Sequence, residues 1–429
     1  MEVIVTGATG FIGSAVCARL SSEGHIVTAI VRSEDVPAIA AASRTIVVDL
    51  AVAARTQDWQ PHLTGIDAVV NCAGVLQDSP RESTKGVHVE GVSALFAACE
   101  AEGVRRVIHF SAIGVDRGAV SEFSRTKLAG DEALMARDLD WVVLRPSVIL
   151  GRNAFGASAL FRGLAALPWL PVMPGAGPLQ VVQLDEVLST VSFFLDPSAP
   201  ARCTLELAGP ERLAMEDVVA RYRTWMGWPN ARTVPLPEWA AAALYRLGDF
   251  AGTLGWRPAL RTTVRKEIAR GAVGDPSPWT AMTGIDPRPL EAALRAEPVS
   301  VQERWYAKLF FLKPIIFTVF PVFWLVTGIL SLMTGFEAGV ELMRRAGAGM
   351  LAVPGVIAGA IADILVGLAI AYRPTTKLGL YGALALSLLY ISLATILLPE
   401  LWNDPLGPLT KIWPILALNL VGIAMLEER

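Results

Sequence analysis

Three glycines at a spacing of three, Gly7, Gly10 and Gly13, stand in the segment Thr6-Gly7-Ala8-Thr9-Gly10-Phe11-Ile12-Gly13. This pattern suits a diphosphate. Gly7 permits a tight turn, Gly10 lets the backbone approach a pyrophosphate, and Gly13 lets a helix pack closely on the preceding strand. Thr9, Phe11 and Ile12 fill the turn and the start of that helix, whose unpaired N–H groups and positive dipole end attract phosphate. A second candidate lies at the end of the next apolar run, where Ile26–Val31 is followed by Arg32. An acidic residue there would bond a ribose 2′-hydroxyl, whereas a guanidinium pairs with a 2′-phosphate, so NADP(H) is favoured. Glu34 and Asp35 follow closely and keep NAD(H) open.

The segments that must position these groups alternate in kind. Val3–Thr6, Ile26–Val31, Thr45–Val48, Ala68–Asn71, Val107–Ser111 and Trp141–Arg145 are short β-branched or apolar runs, and Phe11–Glu23, Gly86–Glu102 and Ser124–Arg137 carry apolar residues at helical spacing. Strands alternating with helices predict an α/β fold, a doubly wound parallel Rossmann sheet, over residues 1–150. Residues 151–300 are less regular and richer in Pro, Gly and Trp, which predicts a small cap region with helices near Met215–Met226 and Glu238–Phe250.

Composition then separates the last part of the chain. With 53% hydrophobic and 18% charged residues, some of the 429-residue protein meets a solvent other than water. Pro314–Phe336 is uncharged, Ala346–Tyr372 is interrupted only by Asp363, Leu378–Pro399 is uncharged, and Ile412–Leu426 is uncharged but short unless extended back to Gly407. An all-α four-helix transmembrane domain is expected over 301–429, with spans about 314–336, 346–372, 378–399 and 407–426. Arg304, Lys308, Lys313, Arg373 and Lys377 put the soluble domain and both termini on the cytoplasmic side of an inner membrane. An ionisable residue inside a span marks a functional candidate, here Asp363, with a structural hydrogen bond as the equal alternative. The net charge of −3 gives no footprint for nucleic acid, and four dispersed cysteines with four histidines suggest neither a disulfide framework nor a metal site.

The glycine motif, the Asn71-Cys72-Ala73-Gly74 turn and Leu144-Arg145-Pro146-Ser147-Val148-Ile149-Leu150-Gly151 together resemble the extended and atypical short-chain dehydrogenase/reductases, including the NAD-dependent epimerase/dehydratases, over about residues 1–300. The nearest likeness is to the atypical branch that includes an accessory subunit of respiratory complex I. The resemblance implies that Asp49, with Leu50, meets the adenine, that Cys72, Ala73 and Gly74 lie along the cofactor, and that Pro146 and Val148 lie near the nicotinamide. The last hundred residues, including the loop Leu401–Leu409, resemble a DoxX-type four-helix membrane domain.

The same superfamily places Tyr-x-x-x-Lys on one helix, where four-residue spacing aligns the two side chains and the lysine lowers the phenol's pKa. This chain reads Phe123-Ser124-Arg125-Thr126-Lys127, so Lys127 remains and the phenol is absent; the first tyrosine is Tyr222. Ser111 falls one or two positions before the family's serine, and His88 stands where an asparagine is common. Two functions are open. One is an NADP(H)-binding scaffold or sensor; the other is an atypical oxidoreductase that passes hydride to a lipophilic or quinone-like acceptor, with protons from water, Ser111, His88 or Ser124. The expected partners are the bilayer and a membrane redox protein or lipophilic small molecule.

Overall fold

The computed structural model describes residues 1–34, 39–79, 82–118 and 120–426, so Asp35 lies outside the described residues. In chain order the strands are β1 (Glu2–Thr6), β2 (Ile26–Val31), β3 (Arg44–Val47), β4 (Ala68–Asn71), β5 (Arg106–Phe110), β6 (Asp140–Pro146), β7 (Val148–Leu150), β8 (Trp169–Val172), β9 (Val181–Gln183), β10 (Cys203–Leu207) and β11 (Arg232–Pro235). Between them run α1 (Phe11–Ser22), α2 (Gln60–Leu63), α3 (Val92–Glu102), α4 (Glu122–Met135), α5 (Gly156–Ala165), α6 (Leu184–Leu195) and α7 (Met215–Trp225). Then follow α8 (Glu238–Thr253), α9 (Thr262–Arg270), α10 (Ser277–Thr283), α11 (Leu290–Ala296) and α12 (Val301–Leu309).

Seven strands form one parallel sheet in the order β10-β6-β5-β4-β1-β2-β3. The apolar runs of the central strands β1, β2, β4 and β5 are what a sheet covered on both faces requires. Val3, Val5, Val27 and Ala29 face a core completed by Val16 and Leu20 of α1 and Val187 and Phe194 of α6. Ile4, Ile30 and Val69 point the other way, onto Leu95 and Phe96 of α3 and Trp59. The strand order reverses between β1 and β4, and the crevice at their carboxyl ends is where doubly wound sheets take ligands.

The chain divides into two compact units, 1–250 with 258–307, and 251–257 with 308–429. The expected division at residue 150 is not a boundary between them. The seventh strand, β10, comes from the stretch expected to be a cap and pairs with β6 from Cys203 to Leu207, so that stretch helps to complete the sheet.

In the second unit the helices are α13 (Leu312–Leu332), α14 (Phe336–Arg345), α15 (Ala352–Ala371), α16 (Thr376–Leu397) and α17 (Ile412–Leu426). Three helical stretches, 301–332, 349–371 and 373–397, are long and apolar enough to cross a bilayer. Two expected spans change. The first stops at Leu332, because Gly335 N turns back to Leu330 O and Phe336 opens the separate, charged helix α14. The fourth does not begin at Gly407, where φ is +58° and Pro408 follows, so neither residue continues a helix backward. Its 15 residues in α17 give ~22 Å, short of the ~30 Å hydrocarbon core. Within this unit α13 and α15 approach closely at glycines: a Cβ on Gly328 would lie 2.6 Å from Ala360 O, and one on Gly367 3.0 Å from Pro321 O.

Candidate dinucleotide site

The glycine turn is as tight as its sequence predicts. Gly7 has φ +63°, and a Cβ there would lie 2.8 Å from Ala73 N and from the Cys72 carbonyl, so the turn after β1 rests directly on the turn after β4. A Cβ on Gly13 would fall 2.2 Å from Gly7 O, which explains why α1 can sit so close to the strand it follows. Gly10 N donates to Gly7 O at 2.8 Å, closing the turn. Gly10 caps α1 with no side-chain bond and the first turn holds no acidic residue, so the helix's positive end is not neutralised by a carboxylate of its own. Ile12 packs against the core, while the Phe11 ring stacks on Phe155 at 5.7 Å between centroids. A backbone cradle that any Cβ would fill, at a helix start and a strand-order reversal, fits a dinucleotide's diphosphate.

Around this turn the expected contacts line the same sheet edge. Arg32 is exposed just after β2, and its Nη1 donates to Glu82 Oε1 at 3.1 Å. Asp49 follows β3 and caps a turn, its Oδ1 accepting from Ala51 N at 3.0 Å, with Leu50 buried beside it. Cys72 is half-buried, Ala73 buried and Gly74 exposed. Burial pushes the Cys72 thiol well up, favouring its neutral form. Pro146 is buried at the end of β6, where its carbonyl accepts from Ile113 N at 3.1 Å, and Val148 opens β7.

Helix α4 sets the region where a nicotinamide would react. Ser121 caps it by accepting from Ser124 N at 3.1 Å, and Phe123 and Lys127 then lie one turn apart. Lys127 is buried and donates to Ala73 O at 3.1 Å and Phe110 O at 2.8 Å; desolvation lowers its pKa to about 8. His88 accepts from Val75 N at 2.9 Å through Nε2, so its proton sits on Nδ1, 2.9 Å from Thr126 Oγ1. Burial, then the Lys127 charge, push the His88 pKa far down. The Phe123 ring meets His88 edge-on at 5.7 Å and brings no oxygen. Tyr222 is buried on α7, under the guanidinium of Arg162 at 5.2 Å. Ser111 donates to Asp131 Oδ2 at 2.8 Å, inside the protein.

Several residues of this region escaped the sequence reading. Asn71 accepts from Thr6 Oγ1 at 2.5 Å and donates to His109 Nδ1 at 2.7 Å, as register partners on β4 and β5 can. His109 Nε2 faces Asp131 Oδ1 at 3.4 Å, proximity without a closed hydrogen bond. Burial opposes the Asp131 charge, yet His109, Ser111 and Arg145, which closes to 3.0 Å, hold its carboxyl below the usual range. His109 belongs to this buried network. On the outer side, Glu267 Oε1 of α9 accepts from Ser121 and Ser124, each at 2.5 Å, while Arg270 bonds the carbonyls of Ile113 and Gly114. One signal was available: Ser124, Lys127 and Asp131 recur at helical spacing on one face of α4.

In the second unit Asp363 is 4% exposed and Oδ1 accepts from Tyr390 OH at 2.9 Å, so its partner is a neighbouring helix.

Residues 7–160 match the NAD(P)H-binding family and residues 321–420 the DoxX-like family. The chain is an NAD(P)-binding Rossmann domain fused to a DoxX-like domain. The chain is similar to a ceramide reductase of Caulobacter vibrioides, 25% identical over 198 residues, covering 45% of this chain and 60% of the relative. It is also similar to the 40 kDa subunit of mitochondrial NADH-ubiquinone oxidoreductase of Neurospora crassa, 23% identical over 222 residues, covering 50% and 57%. The chain thus spans less than two thirds of these curated relatives. Its fold matches that of UDP-glucuronic acid 4-epimerase from Bacillus cereus, solved with UDP-glucuronic acid and NAD, with a TM-score of 0.52 and 19% identity over 72% of this chain and 99% of that one. The epimerase likeness shows the Rossmann-type fold, and the DoxX-like domain with its three long apolar helices points to membrane association.

Proposed function

We propose that this chain is a membrane-anchored protein that binds NADP(H), with NAD(H) the weaker ligand, and that occupancy of its dinucleotide site, rather than tyrosine-dependent turnover, is its output as a scaffold or sensor. The observation that carries this reading is the state of α4: Phe123 offers no proton, Lys127 is committed to two backbone carbonyls, and Ser111 to Asp131. A bound nicotinamide would supply a hydride, but no side chain is poised in the usual way to supply the proton that a carbonyl needs. Gly7, Thr9, Gly10, Phe11, Ile12 and Gly13 would hold the diphosphate, Arg32 the 2′-phosphate, Asp49 and Leu50 the adenine end. Cys72, Ala73, Gly74, Lys127, Pro146 and Val148 would flank the nicotinamide half. Ligand at a hundred times its dissociation constant stabilises a folded domain by about 2.7 kcal/mol, enough to report nucleotide level through stability or a partner's fit. Basic residues at 304, 308, 313, 373 and 377 support a cytoplasmic Rossmann domain.

A second reading has its own support. The name of the ceramide reductase relative points to a lipophilic carbonyl, and Ser124 with Glu267 sets a hydroxyl and a carboxylate next to Phe123. In this case hydride from the nucleotide and a proton relayed through Ser124 would give an alcohol.

Calorimetric titration of the full chain in detergent with NADPH and NADH, followed by absorbance at saturation with quinone and carbonyl acceptors, separates the two. The scaffold reading expects binding without steady oxidation. Acceptor-dependent consumption of NADPH overturns it, and binding of neither nucleotide removes both.

A further inference from the structure

Arg32 and Glu82 are fifty residues apart in sequence, and their pairing at 3.1 Å joins the end of β2 to the loop after β4. The arginine side chain is 51% exposed and the glutamate 14%. As a surface ion pair alone this would add little to stability. Its setting gives it meaning. Ser79 and Glu82 exchange both backbone hydrogen bonds, at 2.9 and 3.2 Å, and Asp78 Oδ1 accepts from Thr84 N at 2.6 Å and Thr84 Oγ1 at 2.9 Å. The backbone of Glu82 is therefore held by Ser79 beside the Asp78–Thr84 bonds, and the acidic residue missing from the end of the second strand is delivered from elsewhere in the chain.

A carboxylate and a 2′-phosphate are both anionic acceptors, so they compete for one guanidinium, whereas a ribose 2′-hydroxyl can donate to the carboxylate. We propose that Glu82 is a specificity-determining residue of the dinucleotide site, engaging Arg32 and disfavouring a 2′-phosphate. The inference rests on the dinucleotide reading. It makes the wild-type preference for NADPH over NADH small, because Arg32 must leave or share Glu82 before it meets the phosphate.

The test is calorimetric titration of the full chain with NADPH and, separately, NADH, in the wild type, Glu82→Gln, Glu82→Ala and the double variant Arg32→Ala with Glu82→Gln. Either single change at Glu82 should raise NADPH affinity on the order of tenfold, with NADH affinity unchanged or lower. The double variant should lose that gain. An unchanged ratio of the two affinities, or equal shifts in both, overturns the proposal. Failure of the wild type to bind either nucleotide is a separate result: it removes the dinucleotide reading and this inference with it.

Discussion

His88 and Lys127 are bases enclosed in a low-dielectric setting, and each holds its proton less tightly in the folded chain than in the unfolded one. For His88 the ordinary value is 6.5 and the folded one is far lower, so below pH 6.5 the unfolded chain takes up a proton that the folded chain refuses. Stability therefore falls as pH drops below about 6.5. His88→Gln should flatten this acid limb, read as the melting midpoint between pH 4 and 7. Lys127 acts in another window. Below about pH 8 both states are charged and the folded one bears the full desolvation cost; between about 8 and 10.5 the folded amine sheds its proton first, and stability rises. The span corresponds to on the order of 3 kcal/mol. Lys127→Met should abolish the alkaline rise in chemical denaturation, and a variant that retains it would show that another group is responsible. Lys127 and Phe123 were legible in the sequence because one helix carries both. Glu267 was not, because its bond to Ser124 joins residues 143 apart, and nothing in local spacing reports such a pairing.

At the scale of elements, β-branched runs and helical spacing located six strands and three crossover helices of the sheet to within a few residues, because the central strands β1, β2, β4 and β5 are buried almost throughout and read as apolar runs. The seventh strand, Cys203–Leu207, was hidden: its pattern is only half buried, at the edge beside β6. Apolar runs also overshot the first membrane helix, since hydrophobicity continues through Gly335 although the backbone does not, and the last run was extended back past Lys411 to Gly407, where the helix does not reach. Glycines are equally informative where helices meet. Gly328→Leu should drive α13 from α15 at a cost of about 1–3 kcal/mol, seen as a lower melting midpoint in detergent. Gly382→Ala, whose Cβ would sit at an ordinary 3.5 Å from Val366, should melt like the wild type. Equal losses in both would show that the close packing at Gly328 is not what holds these helices together.

At the scale of the molecule, the chain passes between its two units three times, after Phe250, after Arg257 and after Ala307. The excursion 251–257 belongs with the apolar helices. Trp256 packs on Phe317 at 4.9 Å and its Nε1 donates to Ala371 O at 2.8 Å, while Arg373 N donates to Leu254 O at 2.9 Å. A chain ended at residue 307 keeps every proposed nucleotide contact but leaves Leu254 and Trp256 without these partners. It should bind NADPH yet self-associate in gel filtration, and Trp256→Ser should reduce the association. A monodisperse 1–307 would assign the excursion no part in solubility.

The excursion also changes what a single cut does. Trypsin acting once, after Arg304 or Lys308, would sever only the last passage, leaving the Rossmann fragment held to the vesicle pellet through the seven residues of the excursion. Release into the supernatant would await two more cleavages, one on each side of the excursion, so its time course should show a lag rather than a simple exponential.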